Sequence, residues 1–452
     1  MDRKVRVGVL GCGNVGSALV RLIHEHADIL EARAGVPLEV TRVAVRDASK
    51  DRGLPLPASC FTESAHDVVD DPDVDIVVEV IGGIEPPRAL IFEALMGGKP
   101  VVTANKELIA THGRELFETA EGAGVDILFE ASVGGGIPLI RPLRESLAGD
   151  RIRRVMGIVN GTTNYILTSM TDEGASFADA LDEAQKLGFA ELDPTADVEG
   201  FDAAAKVAII ASIAFGARVV AGDVYREGIA DITADDIQSA ADLGYVVKLL
   251  AVAEDLNGEV AVRVHPAMVP VRHPLASVRG SFNAVFIEGD AVGELMLYGR
   301  GAGGAPTASA VLGDLVDAAK NLVEGRKGAT IGTLAPKPIR AIDEVESQFY
   351  LLMEVADRPG VLAAIATEFG RHGVSIRSMQ QTGAVSDPRN PGRTHRARSQ
   401  PDHGDRIGED ARLIFVTHKA KESDLRATVR ALEDVEQVHR VGSVLRVMGD
   451  EE

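Results

Sequence analysis

The chain has 452 residues and a formal net charge of −21 at pH 7, with 45% hydrophobic and 25% charged residues. This length exceeds what one hydrophobic core usually organises, so we expect two or three domains. The negative charge disfavours nucleic acids and anionic membranes as partners. Cys12 and Cys60, the only cysteines, lack the spacing of a zinc site or of a disulfide framework, which favours a reducing compartment. We also expect neither a secretory signal nor a membrane-spanning segment, and therefore expect the chain in the cytoplasm.

The N-terminal part of the chain alternates apolar runs with helical stretches. Val5–Leu10 is an apolar, β-branched run before a glycine cluster, so it predicts a buried parallel strand, and a helix is expected at about 14–33. The pattern continues with strands at 39–45, 75–81, 100–103 and 125–130 and with helices at 87–96 and 113–121. This alternation predicts an α/β domain with a Rossmann-type, doubly wound parallel sheet.

After Gly134 the pattern changes to that of a second, α+β domain, which we expect to serve catalysis and oligomerisation. Helices are expected near 177–187, 201–217 and 234–244, and strands near 154–159, 245–253 and 260–264. The helical run 307–323 follows a glycine-rich segment, and we expect it to return to the first domain. The predicted boundaries are 1–134 with 303–335 for the first domain and 135–302 for the second.

Residues 347–450 predict a third domain with the element order βαββαβ, which is typical of a ferredoxin-like fold. Its strands are expected at 349–355, 375–380, 412–417 and 441–447, and its helices at 361–371 and 422–432. Residues 384–410 interrupt this order, because they are rich in Pro, Gly, Ser, Asp and Arg and almost free of apolar side chains. Their composition favours a disordered loop, and the alternative is a basic segment that binds an acidic partner.

A glycine motif lies between the first strand and the first helix, where residues 11–16 form the pattern G-x-G-x-x-G. Its first glycine makes the tight turn, the second lets a pyrophosphate approach the backbone, and the third allows the helix to pack closely on the strand. The pyrophosphate would then lie at the helix N-terminus. We therefore predict dinucleotide binding, with Gly11, Gly13, Asn14, Val15 and Gly16 of this motif as cofactor contacts. Further candidate cofactor contacts outside the motif are Gly82, Lys106 and Gly303.

The end of the second predicted strand bears on the choice between NAD and NADP. An acidic side chain at that place would hydrogen-bond the adenosine ribose of NAD. In this chain the strand ends in Arg46, whose guanidinium would instead clamp the 2′-phosphate of NADP. Asp47 follows directly and could still reach the ribose, and both residues could simply form a solvated strand end. We expect NADP, with NAD as the alternative.

Two lysines and several carboxylates are candidates for the chemistry. Lys106 follows a predicted strand, at the sheet edge where ligands bind in this fold. Residues 188–202 form a long, carboxylate-rich loop that leads into a helix, on which Asp202 and Lys206 are spaced i, i+4 and share a face. Because that helix is apolar on most sides, we expect the pair to be partly buried rather than an exposed ion pair.

These motifs resemble the homoserine dehydrogenase family over roughly residues 1–335. The resemblance is carried in order by the glycine motif and by residues 103–106, 160–165, 188–206 and 301–308. It implies a reversible, NAD(P)-dependent interconversion of L-homoserine and L-aspartate 4-semialdehyde. The C-terminal domain, with Asp-Arg-Pro-Gly-Val-Leu at 357–362, resembles an ACT domain, which is a module that binds amino acids.

The resemblance also implies roles for individual residues. Glu191 and Asp202 would hold the substrate ammonium group, with Asp197 nearby. Lys206 is the expected proton donor and Lys106 its partner, although the roles could be exchanged; two neighbouring lysines would also lower each other's pKa. A different dehydrogenase of similar architecture is an alternative, whereas these intact residues disfavour an amino-acid sensor with an inactive dehydrogenase half.

Two further ligands and an assembly are implied by the resemblance. Oxygen atoms in the loop that joins the two main domains would bind a monovalent cation, with sodium expected; a glycine hinge without an ion is the alternative. The ACT domain would bind an amino-acid effector, with threonine expected, or would only support oligomerisation as a homodimer or homotetramer. The candidate cation ligands are Glu130, Val133, Gly135 and Ile137.

Overall fold

A computed structural model describes residues 4–329, 331–332, 334–382 and 410–449. The loop expected at 384–410 therefore lies outside the described residues, except that Asp410 begins a strand. Within the described ranges, none of the helices combines the length and apolar character that crossing a lipid bilayer requires.

The N-terminal domain is built on a six-stranded, fully parallel sheet in the order β3-β2-β1-β4-β5-β6. This order confirms the Rossmann-type sheet. The strands are β1 (Val5–Leu10), β2 (Leu38–Ala44), β3 (Phe61–Thr62), β4 (Ile76–Glu79), β5 (Val101–Thr103) and β6 (Ile127–Leu128). The helices are α1 (Asn14–Glu25), α2 (Ala27–Ala34), α3 (His66–Val69), α4 (Pro87–Met96) and α5 (Lys106–Ala123).

The single long helix expected at 14–33 is wrong, because the chain bends at His26. This residue has φ −109° and ψ 20°, outside the helical region, so α1 ends before it and α2 begins after it. The bend lets Leu19 and Ile23 of α1 and Leu30 of α2 reach the same hydrophobic core.

The second domain contributes six strands to a larger mixed sheet and places most of its helices around it. The sheet begins β12-β11-β7-β9-β10, and β8 pairs with β10. The strands are β7 (Ile152–Ile158), β8 (Tyr225–Arg226), β9 (Tyr245–Leu256), β10 (Glu259–Pro270), β11 (Phe282–Gly289) and β12 (Gly293–Arg300). The helices of this domain are α6 (Gly161–Glu173), α7 (Phe177–Lys186), α8 (Thr195–Val198), α9 (Phe201–Phe215) and α10 (Ala234–Asp242). The next helix along the chain is α11 (Gly304–Glu324).

Helix α11 packs against α1 and so joins the N-terminal domain. Its side chains Ala308, Val311 and Leu315 are fully buried in the same core as α1. Strands β11 and β12, which were not predicted from the sequence, form a hairpin at one edge of the larger sheet. Strand β12 is difficult to recognise because, as an edge strand, it leaves most of its side chains partly or fully exposed.

The C-terminal domain has the expected βαββαβ order, with one extra short strand. Its elements are β13 (Glu346–Ala356), α12 (Val361–Arg371), β14 (Ile376–Thr382), β15 (Asp410–Thr417), β16 (Ala420–Lys421), α13 (Glu422–Glu433) and β17 (Val438–Val447). Strand β17 also pairs in parallel with β10, through Ala267 with Arg446 and Met268 with Val447. The second and third domains therefore share one continuous, eleven-stranded sheet.

The loop after β6 meets the loop before α11 through two glycines that are almost in contact. Gly135 has φ +55°, and a Cβ atom built on it would lie 2.4 Å from the carbonyl oxygen of Gly301. A separation this short forces backbone movement, so only glycine fits. The chain passes from the first domain to the second near Gly135 and returns near Gly301. This contact therefore holds the two connecting segments against each other.

We expect Gly135→Ala to lower thermal stability for two reasons. The new methyl group would clash with the backbone of Gly301, and alanine would have to adopt a left-handed backbone conformation. The expected cost is about 1–3 kcal/mol, visible as a lower Tm by calorimetry. Gly149→Ala is the matched control, since Gly149 has an ordinary φ and nothing lies within 4 Å of its Cβ position. Equal melting temperatures for both variants would contradict the steric argument.

Candidate active site

A cleft of about 670 Å³ opens between the carboxyl edge of the parallel sheet and the second domain. It is lined by both candidate lysines, by Asp197 and Asp202, and by glycines from several loops. Predicted site residues from six separate segments therefore meet here. Those lining the cleft are Val15, Gly82, Lys106, Gly135, Asp197, Asp202, Lys206 and Gly303.

The carboxylate of Asp202 lies between the two lysine ammonium groups. Its Oδ2 accepts a hydrogen bond from Lys206 Nζ at 2.7 Å, and its Oδ1 is 3.0 Å from Lys106 Nζ. Lys206 also donates to the carbonyl oxygen of Val159 at 2.7 Å. The side chains of Asp202 and Lys206 are 9% and 11% exposed, so the pair is buried as expected.

Asn160 links the carboxylates and begins the neighbouring helix. Its Oδ1 accepts from Thr163 N at 2.8 Å, which caps α6, and its amide donates to Asp197 at 2.6 Å and to Asp202 at 2.9 Å. One capping residue therefore fixes the geometry of both acids. This role of Asn160 was not predicted, although an asparagine directly before a helix fits the usual pattern for an N-cap.

The electrostatics differ from the expectation that the two lysines lower each other's pKa. Burial disfavours the charged form of Lys106, but the Asp202 carboxylate outweighs it and raises the pKa of Lys106 above its usual value. Burial would raise the pKa of Asp202, yet the two lysines and the Asn160 amide hold it well below its ordinary value. Burial raises the pKa of Asp197 despite the Asn160 hydrogen bond.

A buried glutamate that the sequence analysis missed organises the opposite wall of the cleft. Glu79, at the end of β4, accepts backbone hydrogen bonds from Ile81 at 2.8 Å and Gly82 at 3.1 Å, and a hydroxyl hydrogen bond from Thr103 at 2.6 Å. Asn105 then caps α5, the helix that begins with Lys106. Glu79 thus connects the loop predicted to contact the cofactor with the segment that positions Lys106.

The glycine motif has the shape that a pyrophosphate requires. A Cβ on Gly13 would meet nothing within 4 Å, so its backbone is open to a ligand, whereas one on Gly16 would lie 2.3 Å from the Gly11 carbonyl oxygen. Gly11 itself has φ +101°. The residues present therefore fit a dinucleotide, with an open backbone beside the N-terminus of α1.

A second cleft, of about 640 Å³, lies beside this motif and is basic on its far side. Its lining includes Arg21, Lys50 and Arg52 together with Gly13 and Asn14. Arg21 and Arg52 were not predicted from the sequence, although Arg52 closely follows the end of β2 and Lys50.

The two residues weighed for cofactor choice lie at the end of β2. Arg46 is exposed and is not among the residues that line the basic cleft. The carboxylate of Asp47 accepts hydrogen bonds from the Ser49 hydroxyl at 2.6 Å and the Ser49 backbone at 2.9 Å, which lower its pKa. The Asp47 carboxylate is thus already hydrogen-bonded within its own turn.

The structure does not bring Glu191 into the lysine cluster. Its side chain is exposed, and it is not among the residues that line the cleft. It lies on the loop between α7 and α8, where Gln185 donates to its backbone carbonyl at 2.9 Å. The neighbouring Leu192 is 96% exposed.

The candidate cation segment is a buried turn whose one carboxylate is already used. Glu130 accepts hydrogen bonds from the backbone of Ile140 and Arg141, each at 2.8 Å, and also from that of Leu139. In the part of the chain that the structure describes, the carbonyl oxygens of Val133 and Gly135 accept no backbone hydrogen bond. A cation here would therefore be bound by main-chain oxygens.

Family models match the chain over most of its length. The model described as homoserine dehydrogenase, NAD binding domain, matches residues 11–130, and the model described as homoserine dehydrogenase matches residues 138–316. The chain belongs to the homoserine dehydrogenase family. A third model, the ACT domain, matches residues 349–387 and identifies the C-terminal module.

Relatives and solved structures agree with this assignment. The chain is 51% identical to the homoserine dehydrogenase of Mycobacterium tuberculosis and 50% identical to that of Corynebacterium glutamicum, covering 99% of this chain and 98% and 96% of theirs. The crystal structure of a homoserine dehydrogenase from Thiobacillus denitrificans superposes with a TM-score of 0.89 at 40% identity, covering 99% of this chain and 98% of that one. The whole architecture, including the ACT domain, is thus shared.

A hyperthermophilic archaeal homoserine dehydrogenase, solved in complex with NADPH, is a shorter relative of the chain. It has a TM-score of 0.60 at 31% identity, and the alignment covers 70% of this chain and 98% of that one.

We expect Asp202→Asn to destabilise the fold strongly, because it leaves the buried Lys206 ammonium group without a charged partner. Removing one partner of a buried ion pair costs about 3–5 kcal/mol, which calorimetric melting would detect. The matched control is Asp182→Asn, which removes the acid of an exposed i, i+4 pair with Lys186; its Tm should stay close to that of the wild type.

The pH dependence of this difference provides a separate check. Because the pKa of Asp202 is lower in the folded than in the unfolded chain, its stabilisation is complete above about pH 3.9 and is lost as the pH falls towards the folded value. The difference in unfolding free energy between wild type and Asp202→Asn should therefore be constant near neutrality and shrink below about pH 4. A difference that grows on acidification would contradict the assignment.

Proposed function

We propose that the chain catalyses the reversible, NAD(P)-dependent reduction of L-aspartate 4-semialdehyde to L-homoserine. The observation that carries this proposal is the Asp202 carboxylate with two lysine ammonium groups in a cleft bounded by a dinucleotide-binding edge. Family membership supports it, because homoserine dehydrogenases align with this chain from end to end.

The proton in this reaction would come from a lysine. When bound, the nicotinamide supplies the hydride that adds to the aldehyde carbon. The carbonyl oxygen then needs one proton, and we assign it to Lys206, which would become neutral and be reprotonated from solvent. The high pKa of Lys106 favours its charged form, which would orient the substrate oxygen beside Lys206 and stabilise its developing negative charge.

The substrate ammonium group would be held by the carboxylates of the α8 region. Asp197 lines the cleft, and one of its carboxylate oxygens accepts a hydrogen bond from the Asn160 amide. Both oxygens of Asp202 already contact lysines, so this carboxylate holds the two lysines in place. We propose that it also contributes to binding the substrate ammonium group. Glu191 would join only if its exposed loop closes over the cleft, which would also cover Leu192.

We propose NADP as the preferred cofactor, with NAD as an alternative. The pyrophosphate would lie on the glycine motif, and the 2′-phosphate would be held by the basic residues beyond β2, namely Arg46, Lys50 and Arg52. The engaged carboxylate of Asp47 is less available to a ribose. The archaeal relative solved with NADPH supports the same preference.

We also propose a structural sodium ion in the 130–137 turn. The main-chain oxygens of Glu130, Val133, Gly135 and Ile137 would bind it, because hard cations prefer oxygen ligands. The buried, glycine-containing backbone of this turn fits such a role. The ion would stiffen the loop that meets Gly301.

Regulation and assembly complete the proposal. The ACT domain would bind an amino-acid effector, with threonine expected, and would thereby lower the activity. The chain would act in the cytoplasm as a homodimer or homotetramer.

Lys206→Met should reduce turnover by about 10²–10⁴-fold while cofactor affinity stays nearly unchanged, because this lysine serves proton transfer. Initial rates of semialdehyde reduction and titration of NADPH fluorescence measure the two effects. Lys186→Met, at an exposed lysine, is the matched control and should behave as the wild type. Turnover of Lys206→Met within a factor of a few of wild type would exclude the assigned role.

Arg52→Ala and Arg46→Ala should each raise the KM for NADPH about tenfold or more and change that for NADH little, since only NADPH offers a phosphate to the guanidinium group. Arg33→Ala, an exposed arginine at the end of α2, is the control. Equal effects of Arg52→Ala on both cofactors would refute the proposed phosphate site.

A further inference from the structure

The substrate of the proposed reaction has a carboxylate for which the active-site cleft shows no evident partner so far. Its ammonium group is assigned to the acids near α8, and its reacting oxygen to the two lysines. Lys106 and Lys206 are held by Asp202 at the reacting end, so the carboxylate at the opposite end of the substrate needs a separate donor. A carboxylate that loses its hydration without a hydrogen-bond partner binds poorly.

A buried amide that lines this cleft lacks a hydrogen-bond partner. Asn283, the second residue of β11, is 1% exposed and belongs to the cleft lining. In the part of the chain that the structure describes, its Oδ1 accepts no hydrogen bond and its Nδ2 donates none. Asn105 and Asn160, the other asparagines of the lining, both cap helices through Oδ1 and donate through Nδ2. Because buried polar groups are normally paired, the unpaired amide is suited to bind a ligand.

This amide lies next to the segment that connects to the proposed ammonium subsite. A Cβ atom on Gly301 would be 1.8 Å from Asn283 Nδ2, and one on Gly161 would be 3.6 Å from Asn283 Oδ1, so the amide lies between these glycines. Gly161 directly follows Asn160, whose own amide donates to Asp197 at 2.6 Å. Residues 160–161 therefore join the Asp197 carboxylate to the Asn283 amide. Neighbouring subsites of this kind suit an α-amino acid, whose ammonium and carboxylate groups are bonded to one carbon atom.

A cationic side chain lies at the same end of the hairpin formed by β11 and β12. Arg300 is the last residue of β12, lines the cleft and pairs across the hairpin with Phe282, which directly precedes Asn283. It is exposed, and its Cζ lies 5.2 Å from the centre of the Phe282 ring. Within the described ranges, its guanidinium forms no ion pair, in contrast to the ammonium groups of Lys106 and Lys206. Its charge is therefore available to an anionic ligand.

We infer that the substrate carboxylate binds at this end of the hairpin, where Asn283 Nδ2 donates a hydrogen bond and the Arg300 guanidinium supplies positive charge. This inference rests on the proposed reaction and names the residues that select an α-amino acid among small alcohols and aldehydes. Asp197 and Arg300 then form a pair of opposite charges that matches the zwitterionic end of the substrate.

Anchoring the carboxylate at the hairpin also fixes the distance to the reacting carbon atom. The substrate then extends from Asn283 towards the two lysines, which places its aldehyde or hydroxyl group beside Lys206. A compound without the carboxylate would leave the Asn283 amide unpaired when it fills the cleft. A site built to hydrogen-bond one group of its substrate discriminates strongly against analogues that lack this group.

Kinetics of L-homoserine oxidation by the full-length enzyme test these contacts. Arg300→Gln and Asn283→Ala should each raise the KM for L-homoserine at least tenfold, because each removes a contact with a charged group. The kcat should change less than the KM, and the Kd of NADP⁺ from calorimetric titration should stay nearly unchanged. Arg153→Gln, at an exposed arginine of β7 that pairs with Asp290, is the matched control and should behave as the wild type. If a low Tm shows that Asn283→Ala folds poorly, Arg300→Gln decides alone, because Arg300 is exposed.

Two inhibitors separate carboxylate binding from a structural role. 3-Aminopropan-1-ol is L-homoserine without its carboxylate, and L-2-aminobutyrate is L-homoserine without its hydroxyl group. In competition with L-homoserine, L-2-aminobutyrate should inhibit both variants at least tenfold more weakly than the wild type. The inhibition constant of 3-aminopropan-1-ol should be the same in the wild type and the variants, because it offers nothing to either side chain.

The outcomes distinguish this inference from the proposed reaction. An unchanged KM for L-homoserine in both variants would overturn the inference, and so would an equal loss of affinity for the two inhibitors. A weaker affinity for NADP⁺ with an unchanged KM for L-homoserine would assign the amide to the cofactor instead and would also overturn it. In each of these cases the wild type still oxidises L-homoserine, and the proposed reaction stands. If the wild type oxidises no L-homoserine with NADP⁺ or NAD⁺, the proposed reaction itself is wrong.

Discussion

The active site depends on one carboxylate that two lysines share. Asp202 pairs with Lys206 on its own helix and with Lys106, which begins a helix of the dinucleotide-binding domain. The attraction therefore fixes a distance between two domains as well as within one helix. A buried carboxylate is costly unless it is well paired, and here two ammonium groups and the Asn160 amide compensate for the lost hydration. The same carboxylate raises the pKa of Lys106 and so favours the charged form of that lysine, which suits it to stabilise the negative charge that develops on a carbonyl oxygen.

The regulatory module is part of the second domain's architecture. Strand β17 extends the sheet of that domain, and Arg446 on this strand reaches carboxylates on both sides of the boundary. Relative motion of the modules thus requires an exchange of charged hydrogen bonds, because a rotation that separated them would leave a buried guanidinium short of partners. An ion cluster of this kind has a small number of discrete arrangements, which is the property that a two-state response needs.

The sequence predicts those parts of the fold and site that are local in the chain. Alternating periodicity indicates the parallel sheet, and i, i+4 spacing alone brings Asp202 and Lys206 together. The contact of Lys106 with Asp202 joins residues almost a hundred positions apart, and no local pattern gives its distance. Glu79 was missed because a single acid at the end of a buried strand has the appearance of an ordinary strand end. The cofactor pocket was only partly predicted, since Arg52 turns back towards the glycine motif only once the chain after β2 has folded.

The shared sheet also has a consequence for synthesis. Strand β10 is complete once residue 270 has left the ribosome, but its partner β17 comprises residues 438–447, at the far end of the chain. Until then, the edge of β10 around Ala267 and Met268 presents unpaired backbone groups flanked by apolar side chains. Such an edge can pair with other nascent chains. The last strand therefore covers this edge, and premature termination within the final dozen residues would leave the edge of β10 unpaired and prone to aggregation.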